Sequence, residues 1–456
     1  MSVHEFDAIV IGAGPAGEVA AGRLAEGGLE VALVERELVG GECSFYACMP
    51  SKALLRPAEL LAEVERVPGL PVHGDLDVQR ILERRDEVIH DLDDSVQMPW
   101  LEDRGIELFR GIAELTGERA VRVGEDELTA RKAIVLATGS TAAMPPIDGL
   151  GAVGAWSNRE VTTAKTAPDS LLILGGGVVG VEMAAAWSSL GTEITLVEGL
   201  DRILMREEPF AAQEIAEALE AKGVTIRTGA KVVAAERDEG ADSVSLTLEG
   251  GERLDAEHLL VAVGRRPNTE GIGLESVGAE TGGDPIEVDE RMRVGGRDWL
   301  YAVGDVNGRS LLTHMGKYQA RVATENILGR GLVAGRDDDR APRVIFTDPE
   351  IAAVGYTLEG AEGAGLNVTA VDVSTAGSAG ASFHGRNAPG TSRLVIDDDR
   401  RVVVGATFVG PDVNELMHAA TIAVVGELTV ETLMEAVPAF PTRNEVWLYL
   451  LQAYGL

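Results

Sequence analysis

The sequence predicts an α/β protein with two parallel-sheet domains followed by a C-terminal α+β domain. Three observations predict this. Over residues 6–35 (FDAIVIGAGPAGEVAAGRLAEGGLEVALVE) an apolar strand, a glycine-rich turn, an Ala-rich helix and a second apolar strand follow in order. Residues 170–198 (SLLILGGGVVGVEMAAAWSSLGTEITLVE) repeat that order. Beyond the charged loop GRDDDRAPR, strands such as LVIDDD and VVVGATFVG alternate with helices such as NELMHAATIAVVG.

The first unit carries Gly12, Gly14 and Gly17 and ends in Glu35. The second carries Gly175, Gly177 and Gly180 and ends in Glu198, at the same distance from its first glycine. Two G-x-G-x-x-G turns in strand–helix–strand context, each with an acid at that offset, predict two Rossmann-like dinucleotide-binding domains. The first glycine permits the sharp turn, the second lets a pyrophosphate approach the backbone, and the third lets helix and strand pack closely. The helix N-terminus then offers unpaired N–H groups to the phosphates. Glu35 and Glu198 are placed to accept hydrogen bonds from ribose hydroxyls. An acid also repels a 2′-phosphate, so Glu198 predicts NADH over NADPH, a preference that nearby Arg202 weakens. Each copy later reaches a short apolar strand ending in glycine: KAIVLATGS to Gly139 and HLLVAVGRRPN to Gly264. PPIDG at 145–149 reads as a crossover, and WLYAVGDVNG as a buried strand ending at Asp305. The predicted domains are 1–148 with 270–335, 149–269, and 340–456.

The chain has 456 residues, enough for about three domains. Its 45% hydrophobic content and mean hydropathy of +0.07 exclude a disordered chain. A net charge of −34 argues against nucleic acid or anionic membrane as a partner. No apolar run reaches the ~18 residues of a membrane span, and the chain enters a strand almost at once, so a cytoplasmic location without a secretory leader is expected. The two cysteines, Cys43 and Cys48, are too few for a disulfide framework. So close together, they read as redox chemistry rather than a metal site, and no metal is expected. Four intervening residues let them face each other on a distorted helical turn, and a helix beginning near Cys43 is expected to lower the thiolate pKa.

In these motifs the chain resembles the pyridine nucleotide–disulfide oxidoreductases, the group of dihydrolipoamide dehydrogenase, glutathione reductase and mercuric reductase. GAGPAG, GGECSFYACMPSK, ATGS, GGGVVGVE, VGRRPN, YAVGDV, LLTHMGKYQAR and FTDPEIAAVG match the family's landmarks in order along the whole chain. The resemblance implies FAD in the first domain, with Gly12, Gly14 and Gly17 at its pyrophosphate and Glu35 at its adenosine ribose. It puts Asp305 at the ribityl chain and the backbone near Ile112 at the adenine, with Gly41, Gly139, Gly304 and His314 in the same set. Gly175, Gly177, Val179, Gly180, Glu182, Glu198, Val232 and Gly264 fall in the NADH set. It further implies that Cys43 and Cys48 form the redox pair beside the flavin, that Lys52 pairs with Glu182 near flavin N5, and that the last domain makes a homodimer.

One departure is chemical. The family's thiol-handling enzymes carry a His before Pro-Thr, with a Glu a few residues on. Here AVPAFPTRNEVW keeps Pro441, Thr442 and Glu445 but holds Phe440 at the His position. Phenylalanine cannot exchange a proton, and general acid–base help is typically worth about 10²–10⁴ in rate. The C-terminus LQAYGL lacks the Cys pair of mercuric reductases. Tyr46 reads as packing, His384 as an exposed-loop residue and the weaker alternative base, His418 as interface packing, and Asp348 with Glu350 as strand-end and turn residues. The leading expectation is an FAD enzyme that oxidises NADH and reduces a disulfide, a quinone or another small-molecule acceptor. A dihydrolipoamide dehydrogenase with a relocated base is the alternative, and a redox sensor is the alternative of another class.

Overall fold

A computed structural model of the chain describes residues 2–456 except 71–74, 239, 339, 386, 387 and 389. The chain forms two compact units. One comprises residues up to Pro50, Arg85–Ala143 and Arg265–Ala341; the other comprises Ser51–Arg84, Met144–Gly264 and Pro342–Leu456.

The first unit is built on a seven-stranded sheet. Strands Glu107–Arg110, Val31–Glu35, Ser2–Ile11 and Asp126–Leu136 run parallel, and Leu300–Ala302 pairs parallel beyond. Ala8 to Ile11 and Val31 to Val34 are buried without alternation, as strands covered on both faces must be. The Pro15–Glu26 helix covers one face, its proline at a first-turn position that loses no hydrogen bond. The Thr313–Ile327 helix packs beside it through Ala320 and Ala323 in a core shared with Ala20, Ala21 and Leu24.

The second unit holds three sheets among its described residues, one of them an antiparallel sheet of Val232–Asp238, Ser243–Leu248 and Arg253–Ala256. Thr225–Arg227, Glu193–Val197, Ser170–Leu174 and His258–Val261 form a parallel sheet, flanked by the Val178–Ser189 helix. A five-stranded antiparallel sheet follows, with Val402–Gly410 in it buried at every residue. The Asn414–Val425 and Glu445–Tyr454 helices pack on that sheet through Leu416, Ala420, Trp447 and Leu450. One core joins Leu54, Val181 and Trp187 to Ile345, Ile351 and Val409. The stretches 149–269 and 340–456, separate in the sequence reading, therefore share buried surface, together with part of 51–84.

Candidate active site

The nucleotide turn of the first unit is held by contacts that a methyl group would break. Gly12 has φ +98°, and a Cβ there would lie 2.3 Å from the Ala137 carbonyl oxygen. At Gly17 a Cβ would meet the Gly12 carbonyl oxygen at 1.8 Å. Gly14 is different: a Cβ there would meet nothing within 4 Å, so the space above it is open. No side chain caps the N-terminus of the Pro15–Glu26 helix. Open space over unpaired amides fits the pyrophosphate of a dinucleotide. Gly41 packs its Cα side against Gly14, with a Cβ position 2.7 Å from the Gly14 Cα.

Glu35 is fixed from two sides. Its Oε2 accepts the Ala13 N–H at 2.7 Å and its Oε1 the Glu37 N–H at 2.7 Å. The second unit reproduces the device. Glu198 accepts the Gly176 N–H at 2.6 Å and the Leu200 N–H at 2.8 Å. Gly175 (φ +111°) and Gly180 repeat the tight contacts, and Gly177 again faces open space. Arg202 donates to the Leu204, Met205 and Glu207 carbonyls at 2.8, 3.0 and 3.1 Å, so its guanidinium is engaged by the loop around it.

Asp305 sits in a network the sequence reading missed. Its Oδ2 accepts the Ser140 hydroxyl at 2.6 Å, and Arg265 Nε donates to that hydroxyl at 2.6 Å. Both residues lie in motifs already singled out, ATGS and VGRRPN, and the antiparallel pairing of 140–142 with 265–267 brings them together. Gly304 (φ +76°) and Gly316 both pack on the Ala16 methyl, fixing this loop beside the nucleotide turn. Ile112 is 68% exposed. Gly139 (φ +70°) accepts the Asn268 N–H through its carbonyl, Gly264 has φ +137°, and Val232 is buried in its strand while Val179 is exposed.

Cys43 and Cys48 do not share a helical turn. Cys43 lies inside the short Gly41–Phe45 helix, a turn at Tyr46 and Ala47 interrupts the helix, and Cys48 opens the Cys48–Arg66 helix. The long helix thus begins at Cys48, not near Cys43. The expected lowering of the thiol pKa is also reversed at Cys43. A hydrogen bond with the Cys48 thiol pushes it up, burial adds to this, and Thr313 and the Lys317 charge pull it back only in part. No disulfide joins the two cysteines in this structure, and Cys48 Sγ lies 3.4 Å from Thr313 Oγ1.

In the second unit Lys52 Nζ donates to Glu182 Oε2 at 2.7 Å, and the other oxygen of Glu182 accepts the Phe346 N–H at 3.0 Å. Lys52 also lies 4.7 Å from the centre of the Phe346 ring. Glu182 is 3% exposed, so this pair offsets the desolvation of a buried carboxylate. Phe440 is 76% exposed. Glu445 is buried and accepts the Gly380 N–H at 3.1 Å. His384 Nδ1 lies 3.6 Å from Asp412, and burial lowers its pKa. His418 is exposed on its helix. Asp348 is gripped by Arg66 and Lys222, which outweigh burial and lower its pKa.

Comparison with known proteins completes the picture. The family described as pyridine nucleotide-disulphide oxidoreductase matches residues 6–324, and its dimerisation domain matches residues 341–450. The chain belongs to this family. Its members are FAD-dependent and use NAD(P)H, and the chain is an oxidoreductase of that flavoprotein class. A dihydrolipoyl dehydrogenase of Haloferax volcanii is 32% identical over 96% of this chain and 94% of its own length. A mercuric reductase of Staphylococcus aureus is 30% identical over 97% of this chain and 81% of its own length. In structure, the HOCl-induced flavoprotein disulfide reductase RclA of Escherichia coli, as its Cu(II) complex, superposes with a TM-score of 0.87 at 27% identity, covering 98% of this chain and 99% of that one. LpdA of Mycobacterium tuberculosis gives 0.86 at 26%, covering 98% and 100%. The predicted fold class stands: α/β, with family-type nucleotide-binding and dimerisation domains. Among the described residues no helix is long and apolar enough to cross a membrane.

Proposed function

We propose that the protein is an NADH-preferring flavin oxidoreductase that passes electrons through Cys43 and Cys48 to a small-molecule acceptor, as a homodimer. The observation that carries the reading is the hydrogen-bonded cysteine pair, held against Thr313 in the same compact unit as the GAGPAG turn. In that unit Gly12, Gly14, Gly17 and Gly41 would hold the FAD pyrophosphate, Glu35 its ribose, and Asp305 with Gly304, Gly139, His314 and the Ile112 backbone the rest. FAD supplies two-electron transfer between a nicotinamide and a dithiol. Gly175, Gly177, Gly180 and Glu198 would take NADH, since a fixed carboxylate repels a 2′-phosphate.

Lys52 holds positive charge against Glu182, the pair that would sit by the reduced ring system. Phe440 removes the usual proton-exchanging side chain while Glu445 remains, so lipoamide turnover should be slow and quinone reduction should exceed it. The dihydrolipoyl dehydrogenase relatives keep a second reading in view: the same reaction with a base placed elsewhere. Anaerobic titration with NADH, followed by an acceptor screen with lipoamide, glutathione disulfide, a benzoquinone, Hg(II) and Cu(II), tests both. Failure of NADH to reduce the bound flavin overturns the reading. Lipoamide turnover faster than quinone turnover favours the second.

A further inference from the structure

In the second unit, the loop that follows Glu198 holds a backbone conformation that its own residues do not favour. Leu204 has φ +49°, and it is buried with Ile203 in the core around Trp187. A bulky side chain rarely adopts that left-handed conformation, which persists only where the surroundings over-determine it. Here they do. The Leu204 N–H donates to the Gly176 carbonyl at 2.9 Å. The Leu204 carbonyl accepts Arg202 Nη1 at 2.8 Å and the Glu207 N–H at 2.9 Å.

Arg202 reaches further along the same loop. Its Nη2 donates to the Met205 carbonyl at 3.0 Å and to the Glu207 carbonyl at 3.1 Å, and Nη1 lies 3.5 Å from the Ile203 carbonyl oxygen. A guanidinium offers its N–H groups in a rigid planar fork, and a bidentate hold on a phosphate needs two of them. Both terminal nitrogens of Arg202 are already bonded to carbonyls. Arg202 could turn to a 2′-phosphate only by releasing the loop.

The loop in turn packs on the coenzyme turn. A Cβ at Gly176 would lie 2.8 Å from Ile203 Cγ2 and 3.1 Å from Glu198 Oε2, and the Gly176 N–H is the donor that fixes Glu198. The far end of the loop is anchored separately, because the buried Glu207 accepts Arg343 Nε at 2.6 Å. We propose that Arg202 is a positioning residue of the coenzyme site: by clamping the carbonyls of 203–207 it holds the left-handed turn at Leu204, and through Leu204 and Ile203 it keeps Gly176 and Glu198 in place for the adenosine ribose. The proposal rests on the coenzyme assignment proposed above and deepens it. Arg202 then serves the ribose that NADH and NADPH share, and its charge does not weaken the preference set by Glu198.

The test is binding of NAD+ to the FAD-loaded enzyme by titration calorimetry, joined to the second-order rate constants of flavin reduction by NADH and by NADPH. Flavin content is recorded for every variant. Arg202→Gln should weaken NAD+ binding at least about tenfold, with flavin content kept. It should lower the two rate constants by the same factor, so that their ratio stays that of the unmodified enzyme. Arg202→Lys keeps the charge, but one ammonium group cannot span the carbonyls that the planar fork spans. It should therefore also lose NAD+ affinity, and it keeps the proposal testable where Arg202→Gln does not fold. Unchanged NAD+ affinity in either folded variant, or a loss confined to NADPH, overturns the role of Arg202. If the unmodified enzyme does not bind NAD+ and NADH does not reduce its flavin, the underlying function fails instead.

Discussion

Phe440 stands where the family resemblance implies a His. It stands 76% exposed on the segment that ends in the buried Glu445, whose Oε2 is occupied by the Gly380 amide. A Cβ at Gly380 would lie 2.0 Å from the Thr442 backbone, so this segment holds a fixed position around Glu445. Phe440→His should therefore raise lipoamide reduction at least about tenfold, below the full range of general acid–base help. Quinone reduction should not follow it. Steady-state kinetics with both acceptors decides this, and an equal rise in the two would place the effect in electron entry instead.

At the scale of elements, the glycine turns were legible in full and the cysteine segment only in part. A turn that needs φ > 0 and no Cβ announces itself by residue type. The break at Tyr46 and Ala47 carries no such mark, so one distorted turn was expected where two helices meet. The turn makes a contrast that can be measured. Gly17→Ala drives a methyl into the Gly12 carbonyl and should prevent folding of the first unit. Gly14→Ala meets no protein atom and should fold, yet purify with much less flavin, read as the ratio of visible to ultraviolet absorbance. Retention of flavin by a folded Gly14→Ala protein would count against the pyrophosphate assignment.

The strand Glu350–Gly355 offers a second contrast. Burial pushes the Glu350 carboxyl up to about 7, although Asn414 donates to it from both its backbone and side-chain amide. The unfolded chain binds this proton only below the usual value near 4.5. Its contribution to stability is thus fully present below that value and is lost as pH rises through about 7, up to roughly 3 kcal/mol. Glu350→Gln should raise Tm more at pH 8 than at pH 5 by thermal denaturation. Equal shifts at the two pH values would show that the carboxylate is not held neutral.

For the whole molecule, the dimerisation domain carries Ile422, Val425, Val437 and Phe440 as exposed apolar side chains. With a charge of −34 to keep chains apart, a partner face is the place for them. Gel filtration with light scattering should give twice the 48.0 kDa chain mass, and a monomer of full activity would contradict the homodimer. The fold class was legible from the repeated strand–helix–strand pattern. The shared core of Trp187 and Ile351 was not, because contact between distant segments has no local signature. The repeat has a further consequence at Glu198. Its carboxylate occupies two amide donors, those of Gly176 and Leu200, and on the proposed coenzyme assignment this is where NADPH would bring its extra phosphate. Replacing Glu198 by Ser therefore does more than abolish a repulsion: it uncovers a pair of N–H groups shaped to grip an oxyanion. On the proposed assignment, a preference for NADH would in this sense be a stopper in a ready-made phosphate socket. Pulling it out should shift the NADPH-to-NADH ratio of kcat/KM by more than about tenfold, and an unchanged ratio would show that the socket lies elsewhere.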